Sequence, residues 1–206
     1  MMNSNKIVTK IFAIIFISLI GYITYIATRP PIPVIIQAGH EGRTSGNTGA
    51  ENGDEKESEW NIIVADEVAH KLKSWGIESL RVPADTKFLK AKIAVAIHFD
   101  SAKRVCHSGA SIGYPNKNSI SLANRWKSIY NSYFPFGWHQ DNFTPNLKNY
   151  YAYHWIKAEQ FLVLELGELT CDKQLYWLKP RLKKIAHLIA YSIASELGYD
   201  VKKPKL

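Results

Sequence analysis

Two histidines and one glutamate stand at the ends of apolar segments that read as buried strands. His40 follows the run VIIQAG, His98 closes KIAVAIH, and Glu165 closes the apolar core of FLVLEL. The carboxyl ends of parallel strands meet at one edge of an α/β sheet, which is where ligands bind in such folds. The three side chains are therefore expected together, as a metal site or an acid–base site.

Two imidazoles and one carboxylate suit catalytic zinc, which takes three protein ligands and leaves a fourth position for water. The carboxylate is expected from the polar loop 41–59, which carries three glutamates before the next helix: Glu55, Glu57 and Glu59. At most one of the three should be needed, because most charges in such a run are solvated. The other histidines fall in predicted helices or loops and are expected to be surface or structural residues: His70, His107, His139, His154 and His187.

The elements that must position these residues alternate between strands and helices. Apolar side chains recur at helical spacing from Trp60 to Trp75, and Gly76 ends that helix. The other predicted elements are strands over 77–82 and 110–114 and helices over 119–133 and 180–197. The aromatic stretch 134–160 has no periodicity that assigns it. This order predicts an α/β fold, a single domain whose mainly parallel, twisted sheet is flanked by helices.

The composition limits the class of protein. The chain has 206 residues, 46% of them hydrophobic, and a formal net charge of +8, which excludes a disordered chain and allows one domain with a real core. A basic surface suits an anionic partner, such as a nucleic acid, a membrane surface or an anionic polymer. No basic stripe or nucleic-acid-binding motif is present, so a nucleic-acid partner is not expected. No motif identifies a protein partner.

The N-terminal segment predicts export. Residues 11–27 carry no charge and follow Lys6 and Lys10, a pattern that favours a transmembrane anchor with the rest of the chain outside the cytoplasm. A cleaved signal, and hence secretion, is the alternative, but Ala27 at −1 would place Tyr25 at −3, which is a poor cleavage signature. The predicted division is therefore a cytoplasmic stub and anchor over 1–29 and a domain over 30–206, located in the cell envelope and facing the periplasm.

Two cysteines, Cys106 and Cys171, complete the set of residues with distinctive chemistry. An oxidising compartment permits a disulfide between them. Two buried, unpaired thiols are the alternative, and the sequence leaves both possibilities open.

Four motifs in order resemble the zinc-dependent N-acetylmuramoyl-L-alanine amidases of the amidase-3 type. They are IIQAGHEG, then a glutamate before WNIIVADEVAHKLKSWG, then VAIHFDSA, and finally FLVLELGELT. The resemblance runs from about residue 33 to 195. It implies hydrolysis of the amide between N-acetylmuramic acid and L-alanine of the peptidoglycan stem peptide. It also implies that Cys106 and Cys171 follow strands of one sheet and lie on the same edge of the domain.

The resemblance also implies roles for individual residues. His40 and His98 would be the zinc histidines, and Glu165 would be the catalytic glutamate. In the family, the glutamate that binds the metal lies four residues before an asparagine that opens a helix. Asn61 corresponds to that asparagine, so the resemblance selects Glu57 as the metal ligand. The length of the family's loop, counted from His40, instead favours Glu55 as the metal ligand, and Glu59 is the third choice.

Three departures from the family pattern affect the substrate groove more than the zinc set. Glu41 replaces a glycine after His40, Asp100 replaces an asparagine after His98, and a helix common in the family is missing between Val82 and His98. An amidase-like module that binds wall fragments without cutting them is therefore the alternative function. Glu168 is the alternative proton acceptor if Glu165 is not the base.

Overall fold

The computed structural model describes residues 4–28 and 30–205, with the side chains of 10–22, 24 and 30–205. Its contacts divide the chain into two units, and the boundary between them in the sequence lies between Pro31 and Ile32. In the first unit, helix α1 spans Ser4–Thr28, and its described large apolar side chains are exposed. Among the described residues, no helix has both the length and the apolarity needed to cross a bilayer. The anchor stays a prediction, and the side chains of Lys6, Tyr25 and Ala27, on which it depends in part, lie outside the described ones.

The second unit is built on a five-stranded sheet, as the alternation of strands and helices predicts. The seven strands of the described chain are β1 (Ile32–Ala38), β2 (Glu51–Asn52), β3 (Glu55–Lys56), β4 (Ser79–Val82), β5 (Leu89–Asp100), β6 (Ser111–Gly113) and β7 (Ile156–Glu168). The order in the large sheet is β4-β1-β5-β7-β6, and every pairing is parallel except that of β6 with β7. Strands β2 and β3 form a small separate hairpin. The predicted α/β class with a mainly parallel sheet is confirmed.

Three long helices cover one face of this sheet. The helices of the second unit are α2 (Glu57–Ser74), α3 (Ile120–Asn131), α4 (Pro145–Lys148), α5 (Ala152–Trp155), α6 (Asp172–Leu178) and α7 (Leu182–Glu196), with 3-10 turns at Lys117–Ser119 and Lys179–Arg181. Helix α2 buries Trp60, Val64, Val68 and Leu72, which share one face at helical spacing. These side chains join α3, α7 and alternate residues of the strands in the main core.

The opposite face of the sheet is covered by the aromatic stretch that the sequence left unassigned. Alternate strand residues point to opposite faces, so Ile35 and Ala94 lie in a second core with Leu147, Tyr150 and Phe161. Residues 83–88 form a turn directly from β4 into β5, in agreement with the missing family helix. A parallel sheet must be covered on both faces, and here α4, α5 and the chain around them do so.

Two of the predicted strands continue past their expected ends, which corrects the placement of the site residues. Strand β5 runs on to Asp100, and β7 runs on to Glu168, with a bulge in their pairing after His98. His98 and Glu165 are direct partners in the ladder, so both lie within strands and not at their ends. The cause is continued backbone pairing, which apolar content alone does not reveal. Helix α2 also starts earlier than predicted and takes Glu57 into its first turn.

Cys106 and Cys171 form a disulfide, which settles the question left open by the sequence. Their Cα atoms are 4.7 Å apart, and Cys106 has a positive φ of 62°. The bridge ties the loop 101–109 to the chain that follows β7. It joins positions that are 65 residues apart in sequence, so it restricts the unfolded chain strongly.

Replacing both cysteines by serine should lower the free energy of unfolding by about 2–4 kcal/mol, the usual effect of losing a bridge across a loop of this size. The measurement is urea unfolding of the oxidised protein, the reduced protein and the double serine variant. Reduction of the wild type should reproduce the shift seen in the variant. Equal unfolding midpoints in all three samples would contradict a stabilising role for the bridge.

Candidate metal centre

His40 is held by the turn that follows β1. The backbone N–H of Gly39 donates to the carbonyl of Ile97 at 3.0 Å, and His40 itself adopts a left-handed conformation with φ of 61°. Its Nδ1–H donates to the carbonyl of Asn47 at 2.9 Å. That hydrogen bond turns Nε2 of the imidazole toward the first turn of α2.

Glu57 enters the same space from α2 and meets both histidines. Its Oε1 lies 3.2 Å from Nε2 of His40 and 2.9 Å from Nδ1 of His98, while its Oε2 accepts the N–H of Ala50 at 2.8 Å. Asn61, one turn along α2, donates to Oε1 at 3.3 Å and to the carbonyl of Gly39 at 2.9 Å. Asn61 therefore holds both the carboxylate of Glu57 and the carbonyl of Gly39, the residue before His40.

The electrostatics of this group are those of a carboxylate paired with two buried imidazoles. Burial acts to raise the pKa of Glu57, but the hydrogen bonds from His40 and His98 outweigh it and hold the pKa well below its usual range. Burial acts to lower the pKa of His40, yet its contacts with Glu57 raise it. For His98, burial dominates and lowers the pKa.

The donor atoms of His40, Glu57 and His98 all lie within 4.8 Å of one another, so the three side chains could hold one metal ion. All three residues are buried, with 4–6% of their surface exposed. The second ring nitrogen of each imidazole lies within hydrogen-bond distance of an oxygen atom. For His40 this is the carbonyl oxygen of Asn47, and for His98 it is the hydroxyl of Tyr150. Ligating histidines nearly always have such partners, which fix the ring and its tautomer. The residues present therefore fit a divalent metal with nitrogen and oxygen ligands.

The other two glutamates of the acidic loop lie outside this cluster. Glu55 accepts the indole N–H of Trp60 at 2.8 Å and pairs with Lys179. Glu59 is exposed on the first turn of α2. The helical frame of Asn61 thus selects the glutamate that the structure brings to the histidines.

Glu165 faces a cleft of about 400 Å³ beside the same cluster. Its Oε2 is buried and has no hydrogen-bond partner among the residues that the structure describes. Burial raises the pKa of Glu165 well above its usual value, and the nearby carboxylates of Glu57 and Asp100 add to the effect. A divalent cation bound in the cluster would act in the opposite direction and favour the carboxylate.

Glu168, the alternative proton acceptor, is committed to the backbone of the disulfide loop. Its carboxylate accepts the N–H groups of Cys106 and Ser108, each at 2.7 Å, and the hydroxyl of Thr170 at 3.0 Å. The side chain is fully buried and does not line the cleft. Of the two glutamates, Glu165 is the one that lines the cleft and has an oxygen with no hydrogen-bond partner among the described residues.

The chain matches the family model of the N-acetylmuramoyl-L-alanine amidases, Amidase_3, over residues 34–195. This match covers more than half of the sequence. The chain belongs to this amidase family. The resemblance noted in the sequence is therefore confirmed.

Solved structures of other amidases share the fold. The N-acetylmuramoyl-L-alanine amidase AmiC2 of Nostoc punctiforme is 19% identical, with a TM-score of 0.62 over 81% of this chain and 97% of that one. The catalytic domain of CwlV from Bacillus (Paenibacillus) polymyxa var. colistinus is 22% identical, with a TM-score of 0.62 over 82% and 99%. An amidase from Clostridium difficile 630 is 21% identical, with a TM-score of 0.63 over 82% and 98%. No curated protein sequence matches this chain.

The two residue departures from the amidase pattern have partners in this structure. Glu41 pairs with Arg81, whose Nε also donates to Asp66 at 2.7 Å. Asp100 lines the cleft and accepts hydrogen bonds from the backbone of Ser101 and the hydroxyl of Ser108.

His139, expected to be a solvated loop residue, instead places Nε2 3.0 Å from the Ser108 hydroxyl and stacks on Phe143. Sequence reasoning also missed Arg43, which lines the cleft, pairs with Asp85 and lies over the ring of Tyr151. Nothing in the spacing of either residue marks it, because Ser108 and Asp85, their hydrogen-bond partners, are 31 and 42 positions away in sequence.

Gly39 is the residue that lets the His98 ring approach the turn after β1. A Cβ at this position would lie 2.2 Å from Cε1 of His98, closer than any two such atoms approach. Gly39→Ala should therefore displace the imidazole and weaken binding of a metal ion by the cluster at least tenfold, the lower end of the effect of disturbing a ligand's support. Competition with a chromogenic chelator measures this. Gly137→Ala is the control, since a Cβ there meets open space, and equal affinities in the two variants would contradict the prediction.

Proposed function

We propose that this protein is a zinc-dependent peptidoglycan amidase that cleaves the amide between N-acetylmuramic acid and L-alanine of the stem peptide. The observation that carries the proposal is the juxtaposition of the buried His40–Glu57–His98 cluster with the unpartnered carboxylate of Glu165 in one cleft. Membership of the amidase family supports hydrolysis of an amide at this site.

In this proposal, Nε2 of His40, Nδ1 of His98 and the carboxylate of Glu57 hold the metal. When bound, zinc would polarise the scissile carbonyl and lower the pKa of a coordinated water. Asn61 and the Ala50 N–H hold Glu57 in place, and the Asn47 carbonyl holds His40. A site with three protein ligands would keep a fourth position for water, and His40 and His98 line the cleft from which substrate would approach.

Glu165 takes the proton of the attacking water and returns it to the leaving amine of L-alanine. The role requires a carboxylate oxygen that is not already engaged, and Oε2 of Glu165 meets that condition. The buried position also keeps the protonated form accessible for the second transfer, because burial favours the neutral acid. Glu168 meets neither requirement, since the disulfide loop occupies its oxygens.

Digestion of purified peptidoglycan tests the proposal. The full-length protein should release stem peptides that begin with L-alanine and leave glycan strands with unsubstituted lactyl groups, both identified by mass spectrometry. Wall binding without cleavage would favour the alternative, a module that holds wall fragments. Cleavage at a different bond would retain an enzyme but reject this substrate assignment.

The same proposal places the domain outside the cytoplasm, with residues 11–27 as either its membrane anchor or its signal. The Cys106–Cys171 bridge supports an oxidising compartment, and a wall polymer is accessible from that side. Fractionation of cells tests this: the chain should be found in the membrane or, if cleaved, in the soluble fraction of the envelope. Recovery in the cytoplasm would contradict it.

A further inference from the structure

Tyr150 contacts the side of His98 that is turned away from the metal cluster. The Nδ1 atom of His98 lies 2.9 Å from Oε1 of Glu57, whereas its Nε2 lies 2.9 Å from the hydroxyl of Tyr150. The two rings meet edge-on, with centroids 5.5 Å apart. Tyr150 is supplied by the aromatic stretch between α4 and α5, far from any family motif in the sequence.

The partners of Tyr150 fix the direction of its hydrogen bonds. The carbonyl of Ala84 accepts one hydrogen bond from each of these partners, from Nε2 of Gln37 and from the hydroxyl of Tyr151, each at 2.7 Å. Gln37 therefore presents its Oε1 to Tyr150 at 3.0 Å, and Tyr151 presents its oxygen at 3.2 Å. Both can accept a hydrogen bond from Tyr150, because Gln37 faces it with an oxygen that carries no hydrogen and Tyr151 uses its hydroxyl hydrogen on Ala84.

The hydroxyl of Tyr150 can donate to Gln37 or Tyr151, and its lone pairs then remain for His98 when Nδ1 of that ring binds a metal instead of donating to Glu57. A neutral imidazole carries one hydrogen, and a histidine that ligates through Nδ1 must carry that hydrogen on Nε2. A hydrogen-bond acceptor next to Nε2 stabilises this tautomer. The hydrogen bonds of Gln37 and Tyr151 allow Tyr150 to be that acceptor.

We propose that Tyr150, oriented by Gln37 and Tyr151 on the carbonyl of Ala84, is a positioning residue that holds His98 in its metal-binding tautomer. The inference rests on the proposed function, because it assigns a role toward the zinc ion. It also explains what the aromatic stretch contributes besides covering the sheet. Gln37 is fully buried on β1, and Tyr150 is 9% exposed and lines the cleft beside His98.

Tyr150→Phe tests the proposal against Tyr153→Phe as the matched control. Tyr153 lies next to the same apolar core, and its hydroxyl donates to the carbonyl of Leu147 at 2.9 Å without touching a proposed ligand. Each variant loses one hydroxyl from the same stretch, that of Tyr150 in a buried hydrogen bond and that of Tyr153 in a part-buried one. Tyr150→Phe should weaken zinc binding about 10–100-fold, the range for losing such a partner, whereas Tyr153→Phe should leave it unchanged. Chelator competition on the full chain measures both.

Two further readouts separate positioning from a general loss of structure. Proton NMR of the zinc-loaded protein should show a slowly exchanging Nε2–H of His98 in the wild type and in Tyr153→Phe, but not in Tyr150→Phe. Gln37→Leu should give an intermediate loss of affinity, since Tyr151 remains as the second acceptor. Equal zinc affinity and an unchanged Nε2–H signal in Tyr150→Phe would overturn the inference alone. Failure of the wild type to bind zinc would overturn the proposed function and this inference with it.

Discussion

Changing Glu165 to Gln should reduce amidase turnover by about a hundredfold or more, the usual scale for removing a general base, while zinc content stays near one ion per chain. The amide keeps the shape of the side chain but cannot accept the water's proton. Zinc content should not change because the proposed ligands are His40, Glu57 and His98, whose donor atoms converge without Glu165. The measurement pairs initial rates on a soluble muropeptide with metal analysis of the same sample.

Glu159→Gln is the control for this change. Glu159 is an exposed residue of the same strand, β7, so the substitution is chemically identical but lies away from the cleft. It should leave turnover unchanged. Unchanged turnover in Glu165→Gln would reject its role as the base. Loss of zinc in that variant would instead make Glu165 a fourth ligand and contradict the open coordination position.

Replacing His40 or His98 by Ala should reduce zinc occupancy from about one ion per chain to near zero, because a three-ligand site cannot lose an imidazole and retain its affinity. Glu57→Gln should have a comparable effect, since the substitution removes the negative charge that both histidines face at about 3 Å. Atomic emission on dialysed protein measures occupancy, and amidase activity should fall in parallel. Thermal unfolding of the metal-free proteins shows whether each variant is folded.

Glu55→Gln and Glu59→Gln are the controls for the carboxylate. Both residues come from the same acidic loop as Glu57, but Glu55 is engaged with Trp60 and Lys179 and Glu59 is exposed. Both variants should bind zinc as the wild type does. Full occupancy in Glu57→Gln, with loss of zinc in either control, would move the third ligand to that residue.

Much of the fold was predictable because its signals are local. Apolar runs gave β1, β5 and β7, helical spacing gave α2 and α7, and the alternation of the two gave a parallel sheet. The family resemblance, through the frame of Asn61, selected Glu57, and helical phase is rigid enough to carry such a frame because residues four apart lie on one face. In the structure, Asn61 and Glu57 are in hydrogen-bond contact for this reason.

The parts that sequence could not give depend on contacts between distant residues. The stretch 134–160 contains two four-residue helices, which are too short for any period to show. Tyr150 reaches His98 across 52 positions, and no local pattern reports such a pair. The same holds for Glu168, whose neighbours in sequence make it look as available as Glu165, although the backbone of the disulfide loop occupies its oxygens.

Removing the metal and adding it back tests directly whether zinc is required for hydrolysis of the amide. The full-length protein is treated with a chelator, dialysed, and titrated with zinc while release of stem peptides from peptidoglycan is followed by mass spectrometry. The metal-free protein should release no stem peptide, and activity should return in proportion to zinc and reach its plateau at about one equivalent per chain. Release of stem peptides at the full rate by the metal-free protein would contradict this prediction.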